Sequence, residues 1–395
     1  MEALSIVTSI AVVLLIGVVF SVLAGKAKIP EIIVLVIAGM VLGALKYKGE
    51  LIVEFPVLFL TCVSIFALAL ILFDSSAKIR LKELDTLSLK ALKFVIIFTL
   101  LSLIFFTLAA EYFLGIPLVF CLILAAINAG TSTDVVMSFM KGVKGRVMGI
   151  LELESVFNTP LTVLLPFVII DFTQGQTRIT EVVELVLPFL TSIVMGIGAG
   201  IFIAVILFKI IQKKYSAFYS PLAVIVAALL AYVLAENLDG NGVIAVVSLG
   251  IFFGNVYVRE KIALLSAESI LTKALFIFVF VLIGLLIKLP LTKEFFISSI
   301  ILFAVYLVIR YISAAVSFAK DKMSAKEIIF ITLNAPKGLS TVAVVFLFAI
   351  NNIPGSVYYL PGIDVVLNIT LVFVLYSIVL SSIVCSFQSW FLSKK

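Results

Sequence analysis

Long apolar runs separated by short polar segments fill this chain from end to end. Each run approaches the ~20 residues that carry a helix across about 30 Å of hydrocarbon, longer than the buried helix of a soluble core requires. With Pro, Gly and charge clusters as boundaries, the pattern predicts about thirteen transmembrane helices. They fall near 3–24, 29–46, 53–73, 87–110, 115–140, 146–171, 183–211, 219–236, 241–258, 265–288, 294–318, 325–350 and 364–390. The expected fold class is an all-α polytopic membrane protein, with residues 1–395 forming a single membrane domain. Glu2 precedes the first run where a signal peptide would have a basic flank, so that run is expected to be a retained span.

The polar segments are unequal in charge. Of the 28 Lys and Arg residues, only Lys46, Lys48, Arg178, Lys288 and Lys293 fall in one alternate set of loops. Lys273, Arg310 and Lys337 fall inside spans, and all the others crowd the opposite set. Cytoplasmic loops are the Lys- and Arg-rich ones. A multi-pass protein of the cell membrane is therefore expected, with its N-terminus outside and its C-terminus in the cytoplasm.

The two halves echo each other. Ile37-Ala-Gly-Met-Val-Leu-Gly43 in span two returns as Ser248-Leu-Gly-Ile-Phe-Phe-Gly254 in span nine. Ile127-Asn-Ala-Gly followed by Ser132-Thr133 in span five returns as Leu333-Asn-Ala-Pro followed by Ser340-Thr341 in span twelve. Small-residue motifs pack helices in any membrane protein, so the Gly-x-x-x-Gly pair alone says little. Both echoes, however, occur at nearly one offset, and an odd step of spans turns the copies opposite ways in the bilayer. An inverted-topology repeat is expected, about 1–172 and 219–390, joined by a helix near 183–211.

An ionisable side chain near the bilayer centre costs roughly 2.5–3.5 kcal/mol on insertion scales and needs a partner or a wet cavity. The densest polar run is Asn128-Ala-Gly-Thr-Ser-Thr-Asp134, where small and hydroxyl residues before an acid can break the helix and free carbonyls for a cation. Span twelve holds Asn334-Ala-Pro-Lys337-Gly-Leu-Ser-Thr341, in which Pro336 removes a donor. Two crossed broken helices are expected, with Asn128, Asn334 and Lys337 supporting them. A kinked packing interface and a midplane ion site both fit this pattern. In span six, Glu154 and Asn158 share a helical face, as do Ser155 and Thr159. Arg310 lies among apolar neighbours and needs a buried anion, for which Glu154 is the best candidate, as a structural pair more than as transported-ion chemistry. Asp74 reads equally as a boundary acid or a ligand, and Lys273 reads as a snorkelling scaffold residue.

Composition narrows the class. The chain is 64% hydrophobic and 13% charged, against the roughly 45–50% apolar usage of soluble domains. Its net charge of +6 sits in short loops and not on one face or tail, which argues against a nucleic-acid partner. Cys62, Cys121 and Cys385 have no metal-ligand spacing and read as small buried hydrophobes. With no histidine, carboxylates must carry any proton chemistry. No nucleophile–base pair, phosphate loop or cofactor motif is present, so neither an enzyme nor a cofactor is expected.

Together, Thr133-Asp134, Glu154-Ser155-x-x-Asn158, Arg310 and the Lys337-Gly338 segment resemble the NhaP-type sodium/proton antiporters of the cation/proton antiporter superfamily. The resemblance spans the whole chain. It implies a homodimer exchanging sodium or a similar cation for protons by alternating access. It implies cation ligands at Asp134, the Ser155 hydroxyl, the Thr133 carbonyl and Asp74, with Asn158 orienting them and Glu154–Arg310 as the core ion pair. Here Asn158-Thr159 stands where the family has Asn-Asp, and a threonine hydroxyl can offer a lone pair to a cation but does not titrate usefully. Lys337 stands where an arginine is usual. The expected partners are monovalent cations, protons and the lipid bilayer. No soluble nucleotide-binding segment follows the last span, which argues against ligand-gated potassium efflux. A solute-coupled carrier without proton exchange and a non-transporting scaffold or sensor stay open at this point.

Overall fold

Pro56 has no backbone donor to give a preceding turn, and α3 (Val57–Ala77) begins directly after it. Such local chemistry sets several helix ends in the computed structural model, which describes residues 2–27, 31–47, 50–77, 86–132, 145–174, 182–213, 219–256, 261–286, 289–290, 292–321, 323–352 and 360–392. Before α3 come α1 (Glu2–Ala27) and α2 (Glu31–Ala44). A ladder of two-residue strands, β1 (Lys46–Tyr47) and β2 (Glu50–Leu51), pairs antiparallel between α2 and α3. The ladder lies in the loop expected between spans two and three, touching span two only at Lys46. Helix α4 (Thr86–Leu101) runs through a π-helical turn at Ser102–Phe106 into α5 (Thr107–Leu114), which ends on Gly115 in the left-handed conformation that glycine adopts without strain.

Helix α6 (Leu118–Asn128) is followed by α7 (Arg146–Gln174), α8 (Val182–Lys213) and α9 (Tyr219–Asn237). The Asn241 side chain caps α10 (Gly242–Asn255) by accepting from the Ile244 amide, and α11 (Lys261–Leu286) follows. Thr292 caps α12 (Lys293–Ser317), and a Ser324/Glu327 capping box starts α13 (Ala325–Leu333). Residues 334–338 are not helical, and α14 (Leu339–Asn351), α15 (Asp364–Ser386) and α16 (Gln388–Phe391) complete the chain.

Among the described residues, seven helical stretches are long and apolar enough to cross a membrane: α1, α4 through α5, α7, α8, α9, α12 and α15. Apolar stretches of 10–17 residues lie in α2, α3, α6, α10, α11 and α14. Among the described residues the fold is all-helical apart from the short ladder, and the protein is a multi-span integral membrane protein.

The helices pack as two groups. One comprises α1, α2, α3 and α8–α11; the other comprises α4–α7 and α12–α16. The seam between them is formed mainly by α3 and α11 against α14, and by α3 against α7. Within the first group, helices meet through glycines. A Cβ on Gly39 would lie 2.1 Å from the Val281 carbonyl oxygen, and one on Gly284 would lie 2.1 Å from that of Val36, so α2 and α11 touch backbone to backbone. Gly250 and Gly254 of α10 meet α3 in the same way at Phe73–Ala77. Both Gly-x-x-x-Gly motifs are therefore packing surfaces.

Candidate functional site

The second group holds the polar interior. Pro336 cannot donate to a helix, and the backbone around it turns to another use: its carbonyl accepts from the Ser132 amide at 2.8 Å. Gly338 lies so close to the same residue that a Cβ there would sit 2.1 Å from the Ser132 Cβ. The end of α6 and the break between α13 and α14 thus meet directly. Lys337, fully buried, donates to the Asn128 carbonyl, to the Gly130 carbonyl at 2.8 Å and to the Tyr306 hydroxyl at 2.7 Å. Its own amide donates to the Ser377 hydroxyl of α15 at 2.9 Å. Asn334 donates to the Phe330 carbonyl and accepts from the Cys385 thiol at 3.0 Å.

Helix α7 lines the other side. Arg310 of α12 forms a bidentate pair with Glu154, at 2.7 and 2.9 Å, and both are essentially inaccessible. Two further donors reach the Thr332 and Ile331 carbonyls, each at 3.2 Å, at the end of α13, while its guanidinium lies over Phe94 and Phe98. A buried pair offsets its desolvation only when such further hydrogen bonds are made. Glu154 also accepts from the Thr131 hydroxyl at 3.3 Å. Asn158 brackets the same threonine, donating to its hydroxyl at 2.8 Å and accepting from its amide at 3.3 Å. The Thr159 hydroxyl donates to the Ser155 carbonyl at 2.7 Å. Its proton is therefore committed within α7, and what it offers elsewhere is a lone pair. The Ser155 hydroxyl is buried and donates to the Glu152 carbonyl at 3.3 Å.

Glu154, Ser155, Asn158, Thr159, Arg310, Asn128, Asn334 and Lys337 thus fall in one buried neighbourhood. Asp74 is half-buried on α3, at the seam. Thr133 and Asp134 lie outside the described residues. Lys273 is half-exposed and pairs with Glu31 at 2.6 Å. Two cysteine expectations need correcting: Cys62 is exposed, because it lies on an outward face of α3, and Cys385 is a hydrogen-bond donor to Asn334, more than an apolar filler. Sequence reasoning assigned Tyr306 no role and took Thr131 only as one member of the 128–134 run. Tyr306 stands four residues before Arg310, on the same helical face, and that spacing was a usable signal. Among the described residues no group of three His, Cys, Asp or Glu side chains is arranged to hold a metal.

These features define a helical integral membrane protein with charges buried where the end of α6 meets the break between α13 and α14. Residues 10–388 match the family described as "Sodium/hydrogen exchanger, transmembrane", and the chain belongs to that family. It is 25% identical over 381 residues to the K(+)/H(+) antiporter NhaP of Alkalimonas amylolytica, covering 94% of this chain and 66% of that protein. It is 28% identical over 235 residues to the low-affinity Na(+)/H(+) antiporter NhaS1 of Synechocystis, covering 58% of this chain and 42% of the relative. The matched region thus spans about two fifths to two thirds of the length of these curated relatives. The solved sodium proton antiporter MjNhaP1 of Methanocaldococcus jannaschii shares the fold, with a TM-score of 0.82 at 21% identity over 99% of this chain and 98% of that one.

Proposed function

We propose that this protein exchanges a monovalent cation for a proton across the cell membrane by alternating access, with Asp134 as the carboxylate for which both compete. The observation that carries the reading is the junction of the end of α6 with the break between α13 and α14: the Ser132 amide on the Pro336 carbonyl, two residues in sequence before Asp134. An acid that takes up either a proton or a monovalent cation, but not both, makes the two displace each other. The Thr133 carbonyl, the Ser155 hydroxyl, the Thr159 lone pair and Asp74 are the further proposed ligands, with Asn158 positioning Thr131 just ahead of them. Each loaded form would carry about one charge, making exchange electroneutral. The relatives' names divide between potassium and sodium, so both ions belong in the test.

The inverted repeat, the homodimer and the outside N-terminus are part of the same proposal. Support for the repeat comes from packing: the glycine motif of α2 meets α11 while its echo in α10 meets α3. That is the exchange of partners a pseudo-two-fold axis in the membrane plane would produce.

The test is a pH dye in everted vesicles, pulsed with sodium, then potassium. Wild type should collapse an imposed proton gradient with at least one of them, and Asp134→Asn should abolish the response while purifying in normal yield. Unchanged cation-dependent proton flux in Asp134→Asn would remove this residue from the exchange.

A further inference from the structure

An ammonium carries three N–H donors and no acceptor. All three donors of Lys337 are taken in a fully buried place, by two main-chain carbonyls from the end of α6 and by one phenol. The ring of Tyr306 also lies 4.1 Å from the nitrogen, presenting its negative face to the charge. Carbonyl oxygens freed from a helix end are the ligands that strip water from monovalent cations in channels and carriers. Asn128, whose main-chain carbonyl is one of these acceptors, also has a side-chain oxygen that is buried without a hydrogen-bond partner among the described residues.

We propose that the end of α6, formed by the Asn128 and Gly130 carbonyls and the Tyr306 hydroxyl, is a second monovalent-cation site, selective for ammonium-type cations. In the native protein it is filled by the protein's own tethered ammonium, Lys337. The tether keeps the site loaded at all times and closes it to ions in solution. A free ammonium or a primary alkylammonium has the same donors as the lysine tip and is the ligand the site would take once the side chain is shortened; potassium, similar in size but without directed donors, would take it less well. The inference does not depend on whether the protein exchanges cations for protons.

The test is thermal unfolding of the purified protein in detergent. Lys337→Ala should lower the midpoint by about 5–10 °C, because charge-acceptor groups are left buried and empty. Methylammonium chloride between about 1 and 100 mM should progressively restore it, as mass action requires of a ligand that binds only the folded state. Ammonium should act similarly, potassium more weakly, and bulky N-methylglucamine not at all. Lys337→Met, which fills the space without charge, should show the loss but no recovery, and Tyr306→Phe added to Lys337→Ala should weaken the recovery. Equal gains in wild type and Lys337→Ala, or recovery by N-methylglucamine, would overturn the proposal, as would a loss that methylammonium does not touch. Should Lys337→Ala not survive purification in sodium chloride, extraction in methylammonium against N-methylglucamine gives the same decision: survival in the first alone supports the site, and aggregation in both overturns it.

Discussion

The two packed groups bury different residues and are held by different forces. Among the described residues the buried charged side chains are Glu154, Arg310 and Lys337, and all three belong to the group of α4–α7 and α12–α16. In the other group, α2 meets α11 and α10 meets α3 through glycine backbones. In lipid, apolar surface gains little from leaving its surroundings, so helices associate through close van der Waals contact or through polar bonds. One group uses the first device and the other the second. The glycine-lined group therefore depends on shape and tolerates no added volume, whereas the polar group depends on complementary partners and tolerates no missing one.

The largest break in this comparison is expected at Arg310. Arg310→Ala should cost about 3–5 kcal/mol in unfolding experiments, because Glu154 is left buried and unpaired. Adding Glu154→Gln should recover part of that loss, and strictly additive losses in the cycle would show that the pair is not energetically coupled. Next comes Gly39→Ala, whose new methyl must displace the Val281 carbonyl and the Gly284 Cα, 2.1 and 2.9 Å away. The expected cost is about 1–3 kcal/mol, with transport per folded molecule retained. Equal loss of transport and stability would show that the glycine-lined group shares directly in the exchange.

Thr159→Asp sharpens the contrast from the other side, by adding charge to the polar group. A second acid near Asp134 should raise apparent cation affinity about tenfold and move the pH dependence of flux, since neighbouring carboxylates do not both ionise cheaply without a cation. An unchanged affinity and pH profile would place Thr159 away from the ion path.

The smallest effect is expected at Asp321, in the loop after α12. It binds Lys90 of α4, and Arg146 at the start of α7 at 2.7 Å. The hydrogen bond from Lys90, with that from Arg146, holds its carboxyl below the usual carboxylate range. A carboxyl whose folded value is depressed stabilises the fold above its unfolded pKa and loses that contribution as pH falls through the folded value. Asp321→Asn should cost under about 1 kcal/mol at neutral pH, given how exposed its partners are. The difference from wild type should vanish in strongly acidic solution, and a difference that persists there would point to packing as its cause.

Much of this was legible in the residues. Arg310 among Leu, Val and Ile demanded an anion, and Glu154 answers it. Pro336 and the small residues around it marked a helix break, and 334–338 are non-helical. What the sequence hid were the partners that are main chain. The acceptors for Lys337 are two carbonyls, which every residue possesses, so no side-chain pattern announces them. The ladder at 46–51 was not legible because two-residue strands are too short to show an alternating pattern, and span three was expected from 53 although Pro56 delays the helix to Val57.

The long sequence separations within the polar group bear on how the protein is made. Glu154 waits 156 residues for Arg310, and the Gly130 carbonyl waits 207 for Lys337. A ribosome adding about 5–20 residues per second leaves these groups without partners for roughly ten seconds or more, while the first half of the chain already lies in or beside the bilayer. Unsatisfied backbone groups and a lone carboxylate are not tolerated by hydrocarbon. During that interval α6 and α7 must stay near water, near the insertion machinery or loosely placed, and their final seating is triggered by the arrival of α12 and α13. Chains truncated before Arg310 should therefore be recognised as misassembled even though each of their apolar helices is intact.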